Sequence, residues 1–107
     1  MNYEFIIDSF TERRGAPVML ELSCAHCNRY LFTYQKDGPG PLLRCYWDRI
    51  HAPDNLKNLL HHSPNDKALD SLLCPYCVQP IGTKGLYEKE QRPVFILIEN
   101  SFRIRQL

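Results

Sequence analysis

The stretch "SLLCPYCVQPIG" (residues 71–82) places Cys74 and Cys77 on either side of two residues, after an apolar run and before another. "LSCAHCNRYL" (residues 22–31) repeats that layout around Cys24 and Cys27. One Cys-x-x-Cys pair alone is ambiguous. Two pairs supply four thiolates, the complete tetrahedral set that Zn²⁺ prefers, each sulfur about 2.3 Å from the ion. A strand that delivers Cys-x-x-Cys at a tight turn also aims backbone N–H groups at the first sulfur. The spacing therefore predicts one Zn²⁺ held by Cys24, Cys27, Cys74 and Cys77. Four thiolates suit Fe²⁺ as well, so the donor set does not by itself choose the metal.

Cys-Pro-Tyr-Cys is also the redox motif of glutaredoxins. That chemistry needs the motif to open a helix, whose N-terminus lowers the pKa of the first thiol. Here Pro80, Gly82 and Gly85 follow at once, and no sustained helix starts on such a run. The metal reading accounts for the same residues without that helix.

The chain has 107 residues, enough for one domain with a modest core. Its net charge of +1 points to no strongly anionic partner, so a nucleic acid is allowed but not indicated. The longest apolar runs, such as "VFILI" (94–98), are too short to span a bilayer. "MNYEFIIDSFTERR" lacks the basic and apolar regions of a secretory leader, so the expected compartment is the cytoplasm, where thiols stay reduced. Five cysteines, an odd number, also argue against a disulfide framework. Residues 28–73 separate the two pairs, so one ion closes a long loop.

Working outward, "YEFII" (3–7) reads as a short first strand or an arm, and "ERRGAP" (12–17) as a turn. "VMLELS" (18–23) is a strand with Val18, Leu20 and Leu22 on one face. "YLFTYQ" (30–35) is a second strand. "KDGPGP" (36–41) breaks it, and "LLRCYWDRI" (42–50) resumes, with Leu43, Cys45 and Trp47 alternating as the buried face of a hairpin with "YLFTYQ". Residues 51–72 carry Leu56, Leu59 and Leu60 at helical spacing and read as a helical insertion, with a second helix start at Ser63-Pro64. "VFILI" is apolar on both faces and reads as a central strand. "FRIRQ" (102–106) turns Phe102 and Ile104 inward. The expected organisation is a single zinc-binding domain over 1–107: first knuckle and hairpin at 18–50, helical insertion at 51–72, second knuckle and C-terminal strands at 73–107.

Cys45 shares a predicted face with apolar neighbours and reads as a buried thiol. His26 is an exposed knuckle residue. His61 and His62 are adjacent, lack the i, i+4 spacing of a shared metal and read as solvated, and His51 has no assigned partner. In the dense stretch 36–49, Lys36, Arg44, Tyr46 and Arg49 form a candidate recognition surface, against a plainer reading as ordinary turn and surface charge. No Ser-His-Asp constellation, phosphate loop or dinucleotide fingerprint appears.

The order CxxC, "YQKDGPGPLLRCYWDRI", CPYCxxxIG resembles a group of small bacterial proteins of no settled function, over residues 18–98. That resemblance implies a metal-binding β domain and no activity. A more distant likeness is to methionine-R-sulfoxide reductase B and other β-tent zinc proteins. The reductase keeps its catalytic cysteine on a strand after the second pair, whereas no cysteine follows Cys77 here. The fold expected is therefore mainly β, a zinc-ribbon or β-tent sheet with a short helical insertion. The function expected is a non-enzymatic binding module for a protein or nucleic-acid partner. The alternative is a thiol redox enzyme using Cys74 and Cys77, or Cys45.

Overall fold

The computed structural model describes residues 3–62 and 69–107. Among the described residues, eight strands form two four-stranded antiparallel sheets. They are β1 (Pro17–Cys24), β2 (Tyr30–Asp37), β3 (Arg44–Tyr46), β4 (Ile50–Ala52), β5 (Ser71–Leu73), β6 (Pro80–Tyr87), β7 (Arg92–Leu97) and β8 (Phe102–Gln106). One sheet has the order β4-β2-β1-β8 and the other β3-β7-β6-β5. Two helices, α1 (Ser9–Arg14) and α2 (Asp54–His62), complete the described elements with a 3-10 turn at Trp47–Arg49. The chain is mainly β with a short helical insertion, as its sequence implies.

Both sheets contribute to one core. Leu22, Phe32, Ile50, Ile81 and Phe95 are all 1% exposed or less. Trp47 lies with them, its ring centroid 5.1 Å from that of Phe95. In β1, Leu20 and Leu22 are buried as the alternation predicts. The helical spacing of Leu56 and Leu60 is also realised: α2 turns both toward the core cluster, while Leu59 stays exposed. The second helix start at Ser63-Pro64 lies outside the described residues.

Four expectations need correction. The first concerns "YEFII", which, of its two alternatives, does not form the strand. It leads instead into α1, capped by Asp8, whose Oδ1 accepts from the N–H groups of Phe10 and Thr11 while Thr11 Oγ1 accepts from Asp8 N–H.

The second concerns "LLRCYWDRI", which does not form a hairpin with "YLFTYQ". Pro39 and Pro41 have no N–H for a ladder, and Gly38 and Gly40 take left-handed φ angles of 82° and 107°. The chain therefore leaves the first sheet, and β3 pairs with β7 in the second. The 3-10 turn then returns it to the first sheet, where β4 pairs with β2. As a result Leu43 is 64% exposed, whereas Cys45, Tyr46 and Trp47 are buried in succession. Gly38 is required at this crossing, since a Cβ there would lie 2.2 Å from the Arg14 carbonyl oxygen.

The third concerns "VFILI". Its strand β7 is central and buries Val94 and Phe95, but Ile96 is 52% exposed on an open face. The fourth concerns Ile104, which does not turn inward. It is 51% exposed because edge strand β8 borders an open groove beside Val18 and Leu42.

Candidate metal centre

The two cysteine pairs sit at matching places in two hairpins. β1 turns into β2 through Cys24–Cys27, and β5 turns into β6 through Cys74–Cys77. Each hairpin carries a register shift just before its first cysteine, at Leu22/Ser23 and at Leu72/Leu73. Such a bulge sharpens strand twist and re-aims the following side chain. The turns then close alike. Cys24 N–H donates to the Arg29 carbonyl and Asn28 N–H to the Cys24 carbonyl, at 2.9 and 2.8 Å. Cys74 and Val78 N–H groups donate to the Gln79 and Cys74 carbonyls, both at 2.9 Å.

This geometry brings all four sulfurs within 4.8 Å of one another. Across the hairpins, Cys24 Sγ lies 3.7 Å from Cys77 Sγ, and Cys27 Sγ lies 3.6 Å from Cys74 Sγ. A regular tetrahedron with metal–sulfur bonds of about 2.3 Å has edges of about 3.8 Å. The sulfurs are thus at coordination spacing, far beyond the roughly 2.05 Å of a disulfide. Four cysteines on two hairpins can hold one metal ion, with Cys24 and Cys74 buried and Cys27 and Cys77 half-buried.

The electrostatics suit a cation. Burial raises the Cys74 thiol, but the Cys77 and Tyr76 N–H groups oppose it and, with the neighbouring thiols Cys27 and Cys77, bring it down to about 7. Cys77 has the Gln79 N–H to lower it, yet burial and the thiols of Cys24, Cys74 and Cys27 push it up to about 12. The Cys74 thiolate forms readily, and Cys77 keeps its proton until a cation joins it.

The two turns differ in one strained position. Asn28 and Val78 both adopt left-handed φ, 65° and 57°. Asn tolerates that region, but a β-branched residue there is an outlier. Val78 is 69% exposed, so packing does not account for it. Val78→Asn is expected to raise stability by about 1 kcal/mol, read as a higher urea midpoint at unchanged m-value.

Cys45 lies apart from this cluster. It is fully buried on β3 opposite Phe95, and burial alone drives its thiol well above the ordinary range. His26 is exposed at the knuckle. His61 is not simply solvated, because its Nε2 lies 2.9 Å from the Trp47 carbonyl and ties α2 to the 3-10 turn. His51 Nε2 meets Gln35 Oε1 at 3.0 Å. The side chain of His62 lies outside the described residues.

The residues 36, 44, 46 and 49 divide. Lys36 and Arg44 are half-buried, but Tyr46 is 7% exposed and Arg49 1%, so the latter two cannot present a surface to a macromolecule. Arg49 is instead the centre of a buried network. Its Nε donates to Asp37 Oδ2 at 2.9 Å and its Nη2 to Asp8 Oδ1 at 2.6 Å. A second network, unread in the sequence, centres on Arg92. It grips Asp48 through two bonds of 3.2 and 2.7 Å, bonds Glu90 at 3.0 Å, and stacks 3.8 Å from the Tyr46 ring centroid. Arg14 joins it at Glu90, also at 3.0 Å. Asp8, three residues before Thr11, was the visible signal of a helix start. Nothing in the local pattern marks Arg49 or Arg92 as buried.

These networks set an acid limit. Burial raises the carboxyls of Asp8 and Glu90, but Arg49 and backbone N–H groups outweigh it at Asp8, and Arg92 and Arg14 outweigh it at Glu90. Both therefore lie below their ordinary values of 3.8 and 4.5. Depressed folded pKa values mean that the stabilisation is complete above those ordinary values and is lost as pH falls through the folded ones. Urea midpoints measured from pH 6 downward should fall below about pH 4.5, and Glu90→Gln should have a shallower acid slope than the parent. An unchanged slope in that variant would remove Glu90 from the account.

Compared with known proteins, the chain matches no family model, no curated protein and no solved structure. No helix among the described residues is long and apolar enough to cross a membrane.

Proposed function

We propose that Cys24, Cys27, Cys74 and Cys77 hold one structural Zn²⁺, and that the chain is a non-enzymatic, zinc-stabilised cytoplasmic binding module of the zinc-ribbon kind. The single observation behind the metal reading is the sulfur spacing of 3.6 and 3.7 Å between hairpins of different sheets. A four-thiolate set with no protein-free position is the pattern of a structural rather than a catalytic zinc site. A protein is the favoured partner. Tyr76 and Val78, 57% and 69% exposed, put an aromatic and an aliphatic group at the second knuckle, with Arg29 stacked 4.7 Å from the Tyr76 ring centroid. Such aromatic and Arg side chains are favoured in protein interfaces.

The thiol redox alternative rests on the lowered pKa of Cys74. It lacks support elsewhere: the motif opens β6 rather than a helix, and the Cys45 thiol is enclosed and hard to ionise. Neither glutathione-dependent disulfide reduction nor methionine sulfoxide reduction is expected. The deciding experiment is metal analysis of purified protein with thiol counts before and after a chelator. About one zinc per chain, with thiols becoming titratable only on chelation, supports the proposal. Reactive thiols with no metal and a measurable dithiol potential would overturn it.

A further inference from the structure

Lys36, Arg44, Tyr46 and Arg49, scattered by burial, nevertheless line one cavity of about 120 Å³. Arg14 at the end of α1 and Asp37 at the end of β2 close its polar side, and the Pro39–Leu43 segment closes the other. The cavity shares no residue with the cysteine cluster.

The charges around it do not balance. Arg49 is spent on Asp37 and Asp8. Arg14 binds Glu90 through Nη2, but its Nε is enclosed and has no acceptor among the described residues. Arg44 donates Nε to Tyr46 Oη at 3.0 Å and stacks 4.2 Å from the Tyr87 ring centroid, which holds its guanidinium in place without neutralising it. Among the described residues, Lys36 Nζ donates only to the neutral carbonyl of Gly38. Neither Arg44 nor Lys36 forms an ion pair among the described residues. The wall thus carries two cations with no ion-pair partner among the described residues, held by stacking and short local bonds.

We propose that this cavity binds a small phosphomonoester. A phosphomonoester carries about −1.5 to −2 charges at neutral pH and three acceptor oxygens, which the Lys36 ammonium and the Arg44 guanidinium can meet. A carboxylate, with two acceptor oxygens, makes fewer charge-assisted bonds to Lys36 and Arg44 than a phosphate group does. At about 30 Å³ per water molecule in the liquid, the cavity has room for a phosphate group displacing several waters. Its rim continues past Pro39, Pro41 and Leu42 into a wider groove of about 480 Å³ lined by Val18, Leu20 and Ile104. That apolar floor suits an organic substituent on the phosphate. This small-molecule site goes beyond the protein-binding role and does not depend on which metal the cysteines hold.

The test is calorimetric titration of the metal-loaded full chain with phenyl phosphate, inorganic phosphate, benzoate and a phosphoserine tripeptide. Saturable binding is expected for phenyl phosphate, more weakly for inorganic phosphate, and at least about tenfold more weakly for benzoate, since phosphate makes more charge-assisted bonds. Arg44→Gln and Lys36→Gln should each weaken phenyl phosphate binding about tenfold, with thermal midpoint and metal content unchanged. Arg105→Gln, on the exposed edge strand β8 and outside the cavity, should bind as the parent does. If Arg44→Gln loses stability through its ring contacts, Lys36→Gln still decides the matter. No saturable heat up to about 10 mM, beyond the millimolar affinity range, would overturn the proposal, as would undiminished binding by Lys36→Gln. Tighter binding of the phosphoserine peptide than of phenyl phosphate would overturn the small-molecule assignment and place the phosphate on a protein.

Discussion

Cys74→Ser is expected to lose its cooperative unfolding transition, and a strong chelator should do the same to the parent. The argument begins with where the sulfurs sit. Cys24 and Cys27 belong to the β1–β2 hairpin of one sheet, and Cys74 and Cys77 to the β5–β6 hairpin of the other. An ion bound by all four fastens the sheets to each other at that end. Structural zinc in small domains supplies about 10–16 kcal/mol of apparent binding free energy at neutral pH, and that energy is folding free energy when the unfolded chain has no formed site. A domain of this size has about 5–15 kcal/mol in total, so a large loss at the ion is more than it can absorb. Cys45→Ala is the internal comparison. It removes one buried sulfur away from the cluster and should cost only about 1 kcal/mol. Circular dichroism melts with zinc quantified on each sample would read both. Equal collapse of the two variants would show that Cys45 has been misassigned, and a normal melt for Cys74→Ser would show that the metal does not hold the fold.

The second large effect is expected at Arg49. Its side chain is 2% exposed, and that of Asp37 is 4%. Asp37 also accepts from Gln35 Nε2 at 2.8 Å. Removing one member of a buried pair strands the other charge, at a cost of about 3–5 kcal/mol. Arg49→Met should therefore lower the urea midpoint severely. Arg49→Lys should recover little, because a single ammonium cannot span Asp37 and Asp8 as the guanidinium fork does. Arg49→Met combined with Asp37→Asn should recover a substantial part, since the stranded charge goes with its partner. If the double variant is no better than Arg49→Met, the cost lies in packing rather than in the uncompensated carboxylate.

The cluster of four cysteines was legible because its information is local. Each Cys-x-x-Cys pair, its strand and its turn occupy a dozen or so consecutive residues, and the chemistry of four thiolates supplies the long-range pairing between them. Strands β1 and β2 were legible for the same reason. The stretch 42–50 was not. Its alternation fitted a strand, but from residue 44 to residue 52 the chain spends three residues in one sheet, three in a turn and three in the other sheet. No periodicity describes a segment that changes sheets. Arg49 looked like surface charge because its partners, Asp8 and Asp37, come from α1's cap and the far end of β2. Burial of a charge is a property of the assembled partners, and sequence spacing carries no mark of it. Yet the four residues of the suspected recognition stretch do meet at one cavity, through β2, the Pro-Gly crossing and β3.

The exchange of strands between the sheets bears on how fast the chain folds. Arg44–Tyr46 crosses into the later sheet, and Phe102–Gln106 returns to pair with the first strand, Leu20 facing Gln106. That last pairing joins nearly opposite ends of the polypeptide, and contacts of such high order slow folding because loop closure precedes any reward. An ion already gripping both knuckles shortens the route. Phe102 then reaches Cys24 by way of Cys77 and the metal, without the intervening chain having to find its own path. Refolding with zinc present should accordingly outrun refolding in which zinc is added late, so the ion would act as a catalyst of topology as well as a fastener of the finished fold.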